Sequence, residues 1–294
     1  MTSYVTDGTV GPWAREKLEC LDKYLSAYTT VLRKQARWCS GFIYVDAFAG
    51  AGHAQLRVPK ATTTKSPQVL LGEAASPEPD PEQTTYIKGS PRVALDIMYP
   101  FTRYVFIEQD ATRVSNLKAL RSEYGASRHI DIFEGSATTE LERVLLRDAK
   151  IDWKKFRAVV FLDPFGLQVP WLILERLAET KAIEVIVNFP VGTTIQRLLP
   201  RDGEISAQHR AKLDEYFGTT DWYDVVYVKS SGLFGDTRLK SDETGQDLAV
   251  WYRNRLKKLF GFSSGPRLIL NTKGGHLLYR NGNRLTVATL ASEG

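Results

Sequence analysis

The chain has 294 residues, of which 43% are hydrophobic and 25% charged, with 39 Lys and Arg against 34 Asp and Glu; this is the composition of a globular protein able to bury a large core without cross-links. Two cysteines without a CxxC pair and four scattered histidines without an HExxH sequence rule out a disulfide framework and offer no pattern for a resident metal. No run approaches the roughly 18 apolar residues of a membrane span, and the opening MTSYVTDGTVGPW lacks a basic region leading into an apolar stretch, so a cytoplasmic protein without a signal peptide is expected.

Leu18, Leu21, Leu25, Tyr28 and Leu32 recur at steps of three and four, which predicts an amphipathic helix over 13–37, entered through Gly11-Pro12. FIYVDAF (42–48) follows as a short apolar strand closed by small residues. Residues 53–88 contain ASPEPDPEQ, in which prolines alternate with acids. Such a segment suits neither helix nor central strand, and it is expected to be an exposed insertion, either a substrate lid or a tolerated loop. Ser90-Pro91 predicts a helix start with Ser90 as N-cap, leading into RVALDIM.

From there strands and helices alternate. RYVFIE (103–108), HIDIFEG (129–135), AVVFLD (158–163) and IEVIVNF (183–189) read as strands, with helices over 111–124, 138–147 and 170–180 between them. This alternation implies a parallel sheet covered on both faces. Beyond Pro190 the pattern loosens into a helix over 205–217, the segment WYDVVYV, a helix from about 243 to 260, and two strands around a Lys-Gly-Gly turn in RLILNTKGGHLLYR (267–280).

In open α/β sheets the ligand lies at the carboxyl ends of the strands. The first such end reads Asp46-Ala47-Phe48-Ala49-Gly50-Ala51-Gly52, where two glycines let backbone approach a ligand closely. A dinucleotide fingerprint would need glycine where Gln55 stands, and no GxxxxGK[ST] sequence is present. These absences favour an adenosine ligand without phosphates, of which S-adenosylmethionine is the common one. FIEQD puts Glu108 at the second strand end, where a carboxylate can accept from a ribose diol, with Asp110 capping the next helix. With 53–88 set aside, the spacing from Asp46 to Glu108 comes close to the usual about 20 residues. Ser136, after the third strand, is either an adenine contact or a helix N-cap.

The fourth strand end, FLDPFG, carries the chemistry candidates Asp163, Pro164 and Phe165. A fixed carboxylate beside an exposed ring suits a planar acceptor bearing an amino group, which the ring stacks and the carboxylate orients. From Trp251 onward eight Lys and Arg face the single acid Glu293. Arg253, Arg255, Lys257 and Lys258, with aromatic residues interleaved, form either a phosphate-neutralising patch or a solvated helix face.

YVDAFAGAG, FIEQD and FLDPFG, in this order, resemble the motifs of class I S-adenosylmethionine-dependent methyltransferases. Together with Trp13, the long first helix, KGSP (88–91), NFP (188–190) and TKGG (272–275), they make the chain resemble the three-Cys-motif partner protein family, TcmP, over about residues 11–280. The pattern is also similar to that of the 23S ribosomal RNA adenine-N6 methyltransferases. The resemblance implies one domain with a three-layer α/β/α Rossmann-like class I methyltransferase fold and a mostly parallel sheet. Its parts would be an N-terminal helix (11–40), a core (41–190) with insertion 53–88, and a C-terminal helical and hairpin extension (191–294).

The same resemblance implies S-adenosylmethionine held by Asp46, Phe48, Gly50, Gly52, Glu108 and Ser136, and an acceptor facing Asp163, Pro164 and Phe165. It further implies RNA or DNA as substrate, no metal in this chain, and a three-cysteine protein as partner. One motif departs from the pattern. Exocyclic-amine methyltransferases read Asp/Asn-Pro-Pro-aromatic, whereas here Asp163-Pro164-Phe165-Gly166 brings the ring one position early. That departure favours the alternative of a catalytically silent subunit that binds the partner. The tail after Tyr279 also differs from the family's expected ending.

Overall fold

The computed structural model describes residues 9–10, 12–56, 86–148, 151–232, 235–265, 267–271 and 274–282. The Pro-rich stretch 75–83, the turn residues Thr272 and Lys273, and the tail from 283 lie outside the described residues.

A two-residue strand β1 (Thr9–Val10) precedes the long helix α1 (Pro12–Arg33). The first sheet strand β2 (Gly41–Asp46) leads through the glycine loop into β3 (His53–Leu56) and, after the insertion, β4 (Tyr86–Lys88) and α2 (Ser90–Leu95). The alternating series is β5 (Arg103–Glu108), α3 (Ala111–Tyr124), β6 (Ile130–Glu134), α4 (Ala137–Leu141), β7 (Phe156–Leu162), α5 (Trp171–Glu179) and β8 (Ile183–Phe189). The remainder comprises α6 (Gln196–Leu198), α7 (Ala207–Phe217), α8 (Trp222–Val226), the hairpin β9 (Tyr227–Gly232) and β10 (Gly235–Lys240), α9 (Thr244–Phe260), β11 (Phe262–Ser263), β12 (Arg267–Asn271) and β13 (Gly274–Gly282).

The main sheet runs β6-β5-β2-β7-β8-β13, with β11 and β12 both on the outer edge of β13. Pairs among β6, β5, β2, β7 and β8 are parallel; β13 alone enters antiparallel beside β8. β8 is buried along its whole length and β7 over its last five residues, as expected of central strands covered on both faces. One face carries Tyr44, Tyr104, Phe106 and Phe161 against Leu21, Leu25 and Tyr28 of α1, Ala94 and Leu95 of α2, and Leu117 and Leu120 of α3. The other carries Val45, Val105, Val160 and Val187 against α4, α5, α7 and α9. The result is the expected three-layer α/β/α, Rossmann-like architecture with a mostly parallel sheet.

Several local expectations are corrected. Ser90 is the first residue of α2, not its N-cap; Gly89 holds that position without a side-chain bond, and the Ser90 hydroxyl bonds Asp46 instead. α2 stops at Leu95, short of RVALDIM. The ends of the insertion are regular: β3 and β4 pair antiparallel, and β1 adds parallel to β3. The helix expected over 138–147 becomes a wider π turn from Glu142 to Leu146. WYDVVYV divides between α8 and β9. Among the described residues no helix is long and apolar enough to cross a membrane.

Candidate functional site

Order reverses beside β2, whose neighbours β5 and β7 lead the chain to opposite sides of the sheet. Such a switch point opens a crevice at the carboxyl ends of the strands. The loop after β2 is fastened there from both sides. Ala47 N donates to Phe161 O at 3.1 Å and Ala49 N to Ile107 O at 3.0 Å. Gly50 and Gly52 both have positive φ, 64° and 77°, a conformation that favours glycine.

Glu108 ties this loop to the next one. Its Oε2 accepts from Gly50 N at 2.9 Å, and its Oε1 accepts from Gln109 N and Asp110 N at 2.8 and 2.9 Å. A carboxylate offers about four acceptor positions. Three are occupied and the Arg113 guanidinium stands 3.9 Å from Oε2, which leaves capacity for at most one ribose hydroxyl. Asp110 caps α3 by accepting from Arg113 N, as expected. Ser136 caps α4 by accepting from Thr139 N, one of the two readings left open by its sequence. Phe48 is half-buried against the core.

Asp46 is fully buried and accepts from Tyr44 Oη at 3.2 Å, Phe48 N at 3.3 Å and the Ser90 hydroxyl. Burial pushes its carboxyl up to about 7 against the pull of Ser90, and the charge of Asp163 adds to the rise. Asp46 thus positions the loop and the start of α2 from beneath.

At the end of β7, Asp163 meets two residues that its own motif does not contain. Oδ2 forms an ion pair with the Lys17 ammonium of α1, and Oδ1 accepts from Asn188 Nδ2 at 2.6 Å. Lys17 is buried, whereas Asp163 keeps 22% of its side chain exposed. Neither Lys17 nor the amide of Asn188 was identified from the sequence as a contact of Asp163; Asn188 stood there only as part of NFP. Phe165 beside it is 78% exposed. The backbone holds the ring out: Phe165 N donates to Gln168 Oε1 at 2.9 Å, and Gly166 N to Pro164 O at 3.1 Å. Asp46, Phe48, Gly50, Gly52, Glu108, Ser136, Asp163, Pro164 and Phe165 thus all lie at or just beyond the carboxyl ends of the parallel strands β2, β5, β6 and β7.

The basic residues of α9 do not act as one group. Arg255 donates to Phe217 O, and its guanidinium lies 4.0 Å from the ring centre of Trp171 and 5.0 Å from that of Trp251. Burial lowers its pKa from the ordinary arginine value. Arg253 donates to Ser264 O at 2.9 Å. Of the four, Lys257 and Lys258 are exposed and the two arginines half-buried. A cleft of about 390 Å³ bordered by Glu142, Arg147, Trp153 and Arg176 contains none of the candidate site residues.

No family model matches the sequence, and no curated protein matches it. Among solved structures the chain is similar to protein LPL1258 of Legionella pneumophila at 12% identity and TM-score 0.40, covering 88% of this chain and 96% of that one. It is similar to PH0226 of Pyrococcus horikoshii OT3 at 14% identity and TM-score 0.37, covering 92% and 91%. A third is yhhF of Escherichia coli, described as a candidate methyltransferase, at 10% identity and TM-score 0.34, covering 88% and 86%. Likeness at this level carries no inference about activity, which has to rest on the site.

Proposed function

We propose that the chain is an S-adenosylmethionine-dependent methyltransferase acting on a base amino group of RNA or DNA, in the cytoplasm and together with a three-cysteine-motif protein. The observation that carries this reading is the pairing of a half-open carboxylate, Asp163, with an exposed ring, Phe165, at the same carboxyl end of the strands as the Glu108-tethered glycine loop. The family resemblance supports the cofactor and the partner.

The donor fits the loop in one testable respect. A tight turn of small residues borders an acid that retains at most one acceptor position for a ribose hydroxyl. Asp46, Gly50, Gly52 and Glu108 would hold it, with Phe48 and Ser136 at the margins. When bound, it would supply an electrophilic methyl group on a sulfonium sulfur able to leave with the bonding electron pair. Phe165 stacks the acceptor base, a contact worth about 1–3 kcal/mol. Asp163 orients the amino group and takes the proton that the methylated nitrogen sheds, passing it to water through its exposed edge.

A second reading has an observation of its own. Both oxygens of Asp163 are already engaged, by Lys17 and Asn188, as in a subunit that keeps the fold but binds only its partner. Calorimetric titration with S-adenosylmethionine, beside a Glu108→Ala variant, separates the two. Micromolar binding that the variant loses supports the enzyme; absence of binding by the intact chain sinks it.

A further inference from the structure

Two segments far apart in the sequence meet at the end of the sheet opposite the candidate site. α1 ends at Arg33, and the turn after it carries Lys34, Arg37 and Trp38; all four side chains are exposed. The other segment enters β7 with Lys154, Lys155 and Arg157. Ser40 N donates to Lys155 O at 2.7 Å, and Phe42 stands opposite Arg157 in the β2–β7 register, which joins the two segments into one face. From Lys23 to Val45 the sequence contains no acid, and in the second segment Asp152 lies 3.9 Å from Lys155, so the face keeps a surplus of positive charge.

Trp38 is clamped in the middle of this face. Its Nε1 donates to Gln35 Oε1 at 3.1 Å, and the Arg157 guanidinium lies 4.5 Å from its ring centre, yet the residue remains 42% exposed. A cation in the last turn of a helix complements its dipole, which accounts for Arg33. It accounts neither for the cations brought in from β7 nor for an indole fixed among them.

We propose that this face, at the amino ends of β2 and β7, binds single-stranded nucleic acid beyond the acceptor nucleotide, with phosphates on the basic side chains and a base on the open side of Trp38. The inference rests on the nucleic-acid reading above and names where the rest of that substrate lies. An acidic protein segment would answer the charge but not the clamped ring. From Lys17, paired with Asp163, to Arg33 the helix α1 rises about 24 Å. At about 3.4 Å per stacked nucleotide, a strand needs at least about seven nucleotides to engage both ends.

The test is fluorescence anisotropy of labelled single-stranded RNA and DNA, five or about twenty nucleotides long, titrated with the full chain between about 50 and 200 mM salt. For one of the two nucleic acids, the long strand is expected to bind at least tenfold more tightly than the short one. Combining Arg33→Gln, Arg37→Gln and Lys154→Gln is expected to weaken binding of the long strand at least tenfold and to lower the salt slope by about 2. Trp38→Leu should lose about fivefold or more at unchanged slope, and Trp38→Phe should recover most of it. If the triple variant fails to fold, each single variant is read instead, with the slope expected to fall by about 0.7. Wild-type affinity and slope in these variants overturn the role of the face while leaving the methyltransferase reading intact. Unchanged binding in Trp38→Leu overturns the stacked base. Failure of the wild type to bind either nucleic acid, including the case where it binds phosphatidylserine vesicles instead, overturns the proposal and the nucleic-acid substrate together. Titration with S-adenosylmethionine then still decides the methyltransferase reading separately.

Discussion

The backbone of Gly52 fills the place where a side chain on Gly89 would begin. A Cβ on Gly89 would lie 2.7 Å from the Gly52 carbonyl carbon and 2.9 Å from its Cα, and Gly89 N donates to Gly52 O at 2.9 Å. The glycine loop and the start of α2 are thus in direct backbone contact across the whole insertion. Because the obstacle is backbone, Gly89→Ala forces the loop to move. It is expected to cost about 1–3 kcal/mol and at least tenfold in S-adenosylmethionine affinity, read by thermal melting and calorimetry. Unchanged affinity would separate this contact from the donor site.

The same closeness bears on the insertion. β3 and β4 pair antiparallel from His53 with Lys88 to Gln55 with Tyr86, so a short turn can bridge them. Replacing residues 56–85 with a two-residue Asn-Gly turn, which keeps Gln55 opposite Tyr86, is expected to shift the melting temperature by less than about 4 °C. If the segment is a substrate lid, nucleic-acid affinity falls while donor affinity stays; if it is a tolerated loop, both stay.

Two buried acids set a pH dependence. Burial pushes Glu184 from 4.5 to about 7, against the hydroxyl of Tyr24 and the charge of Arg280, and Asp46 likewise reaches about 7. A carboxyl whose folded value exceeds its unfolded one binds more protons when folded. Its contribution is therefore full at about pH 4 and below, and declines until about pH 7. Glu184→Gln keeps an acceptor for Tyr24 without a charge to desolvate. Denaturant unfolding should find it more stable than wild type by about 1–3 kcal/mol at pH 8, with little difference at pH 4. A loss at pH 8 would show that Arg280 fully compensates the ionised acid.

The α9 residues separate into two classes by experiment. Arg255→Ala removes a hydrogen bond to Phe217 and two stacked contacts, and is expected to cost about 1–3 kcal/mol of stability. Lys257→Gln combined with Lys258→Gln leaves stability unchanged. If these lysines meet phosphates, the salt slope of nucleic-acid binding falls by about 2; an unchanged slope assigns them to a solvated face.

What could be read from the sequence was whatever is local in the chain. The strand ends carrying Asp46, Glu108 and Asp163 lie where their motifs place them, and Asp110 caps α3 because a cap concerns residues three apart. Lys17 was invisible because nothing along the chain marks a lysine on an amphipathic helix as the partner of a residue 146 positions later. Ser90 was misassigned because a serine before proline matches a common cap, while its bond to Asp46 depends on Gly52 and Gly89 bringing two distant segments together. Arg255 was grouped with its neighbours because charge counts ignore which side of a helix meets Trp171. Glu184 did leave a signal, as the one acid within a strand otherwise apolar up to Asn188.

The arrangement at the sheet's far edge has a consequence for synthesis. β8 pairs with β7 on one side, and among the described residues its other side is covered only by Leu277–Asn281 of β13. A chain growing from its N-terminus completes five parallel strands and then keeps one flank of β8 bare until residues 274–282 have been made. An open strand edge invites pairing with other chains. β13 therefore acts as a seal on the sheet: a chain that stops before Leu277 keeps an adhesive flank that a longer one has covered.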